Sequence, residues 1–186
     1  PWATLQHAAD TMGPGDRVLV TDGRYAGATA STSGQPGAAI VFQALGSAVI
    51  VNQPSSSGDH MRVQAASYLV VAGFRFENLV QRAISVGGAA VTQPIQGVVL
   101  RNNVVADAPG SGISLSHTVG ARIEGNTIEQ CGSAGLVVTG AATQDTVIRD
   151  NRLRNNGSEG LFVDGDLAAG GDGIAGSLFV ERNIIS

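Results

Sequence analysis

GVVLRNNVVADAPGSGISL (residues 97–115), GARIEGNTIEQCGSAGLVV (120–138) and DTVIRDNRLRNNGSEGLFV (145–163) are three copies of one pattern, and SLFVERNIIS (177–186) opens a fourth. Stacked on Asn103, Asn126, Asn151 and Asn183, they put Leu100, Ile123, Ile148 and Val180 in one apolar column. Val105, Ile128, Leu153 and Ile185 make a second column, two residues after each asparagine. An upstream copy, SYLVVAGFRFENLVQRAISV (67–86), supplies Val71 and Phe76 to the columns and Phe74 in place of the asparagine. A third column, Ile84, Ile113, Leu136 and Leu161, begins eight residues after the second in all four complete copies. The first column advances by 29, 23, 25 and 32 residues, a period that signals a repeat architecture.

Within each copy, apolar residues alternate over two or three positions and are bounded by Gly and Asn, which is strand periodicity with no room for a helix. Each copy therefore reads as two short strands bent through the asparagine and a third after a GSAG-like turn. That is one coil of a parallel β-helix, with rungs about 4.8 Å apart. An amide carries donors and an acceptor, so an asparagine at the same bend of every coil can bond above and below. Phe74 predicts that this ladder begins at Asn103, with the ring filling the preceding bend. The outward columns Arg101, Glu124, Arg149, Glu181 and Glu129, Arg154 alternate in sign and predict surface pairs of about 0.2–1 kcal/mol each. Cys131 falls at a turn with Leu79, Ala108 and Asn156, a place for a small, partly buried side chain; one cysteine makes no internal disulfide.

The chain's start reads as a cap. Thr4 precedes a short helix whose face is Leu5, Ala8, Ala9 and Met12, stopped by Gly13-Pro14-Gly15. A strand at 17–20, a turn at 21–24, a loop at 26–39 and strands at 40–42, 49–51 and 61–63 follow. No composition break divides residues 1–186, which predicts a single elongated domain of about six or seven coils. Pro1 is no natural start, and the last strand runs to Ser186, so a fragment of a longer chain is expected. Further coils, or another chain, would cover the C-terminal end.

Composition narrows the partners. Of 186 residues 26 are Gly, 14% are charged and the net charge is −4, so a large nucleic-acid footprint is excluded. No apolar run is long enough for a membrane span. All 11 basic residues are arginine; there is no lysine.

The run PWATLQHAADTMGPGDRVLVTDGRYAG (1–27), with PGAAIVFQALGSAVIV (36–51) and SYLVVAGFRFEN (67–78), resembles the opening of secreted right-handed parallel β-helix proteins of the pectate-lyase-like superfamily. In style it is similar to the group holding chondroitinase B and alginate lyases and to pectate lyases. The resemblance implies a right-handed β-helix with a short N-terminal capping helix, secreted or at the cell surface. It also implies an elongated groove for an acidic polysaccharide, β-elimination, and often calcium. A lysine base is excluded by composition. An arginine base needs a site that strongly disfavours its charge. No arginine here matches a catalytic motif of those families.

Loop length and acidic spacing point to candidate residues instead. The segment 164–177 carries Asp164, Asp166 and Asp172 among glycines, a set suited to calcium, although Asp-Gly pairs equally form plain turns. Asp164, Glu159, His117 and Arg152 are the catalytic candidates. Phe162 and Ser114, outward on the third strand, and Arg82 and Arg154, near the adjoining turn, are the substrate-binding ones. A hydrolase would require two carboxylates, Asp164 with Glu159 or Asp107. His7 on the helix and His60 in a loop read as non-catalytic. Two functions remain open: a carbohydrate-active lyase of acidic polysaccharide, and a non-catalytic glycan-binding or adhesive surface module.

Overall fold

The computed structural model describes residues 2–46, 49–55, 58–87, 92–165 and 176–186. Its strands form three long parallel sheets, with a two-stranded parallel pair, Ile95–Gln96 and Thr118–Val119, beside them. The first sheet stacks Arg17–Val20, Ile40–Ala44, Leu69–Ala72, Val99–Arg101, Arg122–Glu124, Val147–Arg149 and Phe179–Glu181. The second stacks Gly23–Ala26, Val49–Gln53, Arg75–Phe76, Val104–Ala106, Thr127–Glu129, Arg152–Arg154 and Ile184–Ile185. The third stacks Ala28–Ala30, Met61–Gln64, Ile84–Gly87, Ile113–Ser116, Leu136–Thr139 and Leu161–Asp164. The result is a solenoid of about six turns, closed at its start by a helix, Leu5–Thr11.

The apolar columns of the sequence are the ladder registers. Phe42, Val71, Leu100, Ile123, Ile148 and Val180 align in the first sheet. Val51, Phe76, Val105, Ile128, Leu153 and Ile185 align in the second. Met61, Ile84, Ile113, Leu136 and Leu161 align in the third. A one-residue slip would turn a column outward, so burial of one face holds the register.

At the bend between the first two sheets, the asparagine ladder is complete. Asn126 Oδ1 accepts from the Asn103 N–H at 3.0 Å and Asn103 Nδ2 at 3.1 Å, while Asn126 Nδ2 donates to the Leu100 carbonyl at 2.9 Å. Asn151 and Asn183 repeat the arrangement. It ends where Asn103 Oδ1 accepts from the Phe74 N–H at 3.1 Å, with the Phe74 ring buried in the bend. Asn103, Asn126 and Asn151 are buried, so each bond satisfies a group that water cannot reach. The corners after four second-sheet strands take the left-handed conformation, at Asn78, Asp107, Gln130 and Asn155. Short polar side chains visit that conformation more readily than others, and they hold three of these four positions.

The cap forms as its sequence predicts: Thr4 Oγ1 accepts from the His7 N–H at 3.1 Å, and Leu5, Ala8, Ala9 and Met12 are buried. Gln6 adds a contact that periodicity does not reveal. Its Oε1 accepts from the Thr29 N–H at 2.8 Å and its Nε2 donates to the Thr29 carbonyl at 3.1 Å, so a helix side chain occupies the edge of the third sheet. Two expectations need correction. Gly23 and Arg24 belong to a strand rather than a turn, and the supposed loop at 26–39 contains the strand Ala28–Ala30. Ala28 and Ala30 are buried beside the helix, where small residues let it approach; their composition looks like loop for that reason.

Candidate functional site

The third sheet presents most of the candidate residues. Along its outer face run Arg62, Ser85, Ser114, Val137 and Phe162, and parallel to them Gln64, Gly87, Ser116, Thr139 and Asp164. Phe162 is 40% exposed on this face. Ser114 stands two rungs from it, about 10 Å at the usual strand spacing.

The sheet's exit edge carries His117 and Asp164. His117 has φ 52°, and its Nδ1 is buried with no hydrogen-bond partner. Its ring lies against Gly140, where a Cβ would sit 2.7 Å from Nδ1; any larger residue there would displace the imidazole. Asp164 pairs in register with Thr139, one residue before Gly140, which puts it about two rungs beyond His117 on the same edge.

The entry edge is built from the turns before each third-sheet strand. Counting back two residues from the strand starts aligns Asp59, Arg82, Ser111, Ala134 and Glu159. Arg82 Nε donates to Asp59 Oδ1 at 2.9 Å and Nη2 to Oδ2 at 3.3 Å. The Asp59 carboxylate is 1% exposed and the Arg82 side chain 40%, so the pair is rooted inside and shows only its cationic end. His60, next to it, is fully buried, with Nδ1 3.3 Å from the Arg82 carbonyl and Nε2 unpartnered. Burial holds its imidazole below the ordinary histidine range, against the opposing pull of that carbonyl and of Asp59.

The structure thus puts His117 and Asp164 on one edge, about two rungs apart, and Arg82 and Glu159 on the opposite edge, three rungs apart. Glu159 and Asp164 are separated by a strand's length, about 16 Å of extended chain, which exceeds the roughly 6.5–9.5 Å of a glycosidase carboxylate pair. Arg152 and Arg154 lie elsewhere, on the strand Arg152–Arg154 of the second sheet. There Arg154 Nη2 donates to Glu129 Oε2 at 2.6 Å, the surface pair the charge pattern predicts, while Arg152 is exposed. Arg149 meets Glu124 at 3.1 Å in the other alternating column. Asp166 and Asp172 lie outside the described residues. Among the described residues no group of three or more His, Cys, Asp or Glu could hold a metal, and Asp164 alone does not supply calcium's six to eight oxygens. No helix among them is long and apolar enough to cross a membrane.

Sequence reading missed the Asp59–His60–Arg82 cluster. The signal was present: the count back from the third apolar column aligns Asp59 with Arg82, one coil apart.

Three long parallel sheets, a coiled core, an asparagine ladder and a capping helix define a parallel β-helix. The chain belongs to the right handed beta helix region family, whose model matches residues 31–172. Among solved structures it is similar to an alginate lyase from Paenibacillus sp. str. FPU-7, at 15% identity and TM-score 0.63, over 96% of this chain and 72% of that one. It is similar also to the pectate lyase Pel9A, at 16% identity and TM-score 0.53, over 81% of this chain. The match spans 48% of the pectate lyase, less than half of its length. At these identities the likeness is one of fold. No curated protein sequence matches the chain.

Proposed function

We propose that this chain is a carbohydrate-active β-helix that acts on an acidic polysaccharide by β-elimination, secreted or at the cell surface. The observation that carries the reading is the third sheet's outer face, where Ser114 and Phe162 lie between the Arg82–Glu159 edge and the His117–Asp164 edge. The names of the two fold neighbours, an alginate lyase and a pectate lyase, support the substrate class. Phe162 offers a ring for a sugar to stack on, and Ser114 a hydroxyl partner. His117 takes the proton beside the uronate carboxylate. The glycosidic C–O bond breaks as the C=C bond forms, and the leaving oxygen gains a proton from water. An imidazole suits this role near neutral pH, where an arginine base such as Arg152 does not. Asp164 orients a sugar hydroxyl; Asp164, Asp166 and Asp172 would be the residues to hold calcium, which would neutralise the uronate carboxylate.

The test is incubation with pectate, alginate and chondroitin, with and without calcium, followed by the absorbance of unsaturated products. Turnover that His117→Ala abolishes is the expected result. No product from any acidic glycan overturns the lyase reading. Binding without turnover establishes the second reading, a non-catalytic glycan-binding or adhesive module, which the absence of lysine favours.

A further inference from the structure

We infer that the turns entering the third sheet form a receptor for one carboxylate of a sugar acid, centred on Arg82 and separate from the His117–Asp164 edge. The identity of the ligand rests on the polysaccharide reading; the receptor's geometry does not. A recess of about 470 Å³ spans three consecutive coils, lined by Val80, Gln81, Arg82, Pro109, Gly110, Ser111 and Ser133. Arg82 brings five N–H donors, of which Asp59 takes two. The remaining three belong to Nη1 and Nη2 and have no partner among the described residues. Because Asp59 is buried and grips the guanidinium at two points, the side chain is ordered before any ligand arrives, which removes part of the entropic cost of binding. A planar guanidinium edge matches a carboxylate. Ser111, one rung along the same column, and Ser133 add hydroxyls that no described residue engages, suited to the sugar's own hydroxyls.

Gly110 supports the same conclusion from the opposite direction. Its φ is not positive, and a Cβ there would meet the Gln81 backbone at 3.7 Å and Arg82 Cγ at 3.8 Å, ordinary contacts. Neither backbone conformation nor packing demands glycine. Its missing side chain leaves the Arg82 stem uncovered inside the recess.

The experiment is a titration of the ¹⁵N-labelled protein with a galacturonate trisaccharide and with its carboxyl-reduced counterpart, following the backbone amides of Gln81, Gly110, Ser111 and Ser133. Saturable shifts with the acid, and none with the reduced sugar, are expected. Arg82→Gln and Gly110→Val should each weaken binding at least ten-fold. Gly110→Val keeps the Asp59–Arg82 pair, so its unchanged spectrum elsewhere separates loss of the recess from loss of the fold. Silent recess amides, equal response to the reduced sugar, or wild-type affinity in Gly110→Val would each overturn the receptor. Product formation with silent recess amides would sink this inference and leave the lyase reading intact; recess shifts without turnover would do the reverse.

Discussion

Two coils of the described solenoid, the first and that of Phe179–Ile185, treat the same kind of residue in opposite ways. At the first coil the helix Leu5–Thr11 covers the core: Leu5 is 4% exposed, and Gln6 occupies the edge of the strand Ala28–Ala30. In the coil of Phe179–Ile185, which has no described rung beyond it, Val180 and Ile185 stand in the register of Ile148 and Leu153, both fully buried, yet they are 46% and 51% exposed. Identical placement in the repeat therefore does not make a residue core. A column position is apolar because of the rung on either side, and full burial of such a side chain is worth about 1.5–3 kcal/mol only when both rungs are present.

The largest test of this contrast is in the asparagine ladder. Asn126→Ala should destabilise by roughly 3–5 kcal/mol, because the Asn103 N–H and the Leu100 carbonyl would be left unsatisfied in the interior. Asn183→Ala should cost about 1–2 kcal/mol, because Asn183 is only partly buried and water can replace it. Urea midpoints read the difference, and equal losses would break the comparison.

Leu5→Ala and Val180→Ala sharpen it at the apolar level. Removing the buried Leu5 side chain should cost about 2–4 kcal/mol, and removing the half-exposed Val180 less than about 1 kcal/mol, measured by thermal unfolding.

His60 gives the interior a pH signature. Its folded pKa is depressed, so as pH falls through about 6.5 the unfolded chain binds a proton that the folded chain does not, and stability declines. Between pH 7.5 and 5 the melting temperature of His60→Ala should fall less than that of the parent. An alanine fits there: Ala83 holds the equivalent place in the next coil, one residue before the third-sheet strand. Parallel pH profiles would show that His60 is not what titrates.

The smallest effect concerns Cys131, in a middle coil. Burial pushes its thiol up to about 11, so at pH 8 iodoacetamide should leave it unmodified in the folded protein and alkylate it once unfolded. Alkylation of the folded protein at the unfolded rate would mean that the middle coils open readily.

Legibility followed chemistry that repeats. Ile84, Ile113, Leu136 and Leu161 declared the third sheet because every core rung needs an aliphatic at that register. The strand Ala28–Ala30 was hidden, since beneath a helix the same register needs a small residue. His117 and Asp164 were legible as candidates, and the column Ser116, Thr139, Asp164 placed them about two rungs apart. Their common edge is a product of coil stacking, which joins residues far apart in sequence. Arg152 and Arg154 looked equivalent to Arg82 by charge alone, yet they stand on a different sheet.

By itself, the sequence determined the coil: its period, its three inward columns, its asparagine bend and its helical cap. These follow from burial and backbone hydrogen bonding, which act at every rung and leave a periodic trace. Only the tertiary structure decided which polar side chains meet. Gln6 reaches Thr29 and His117 rests on Gly140 through contacts made once, with no period to announce them, and although the repeat aligns Asp59 with Arg82, only the fold shows that the two side chains pair.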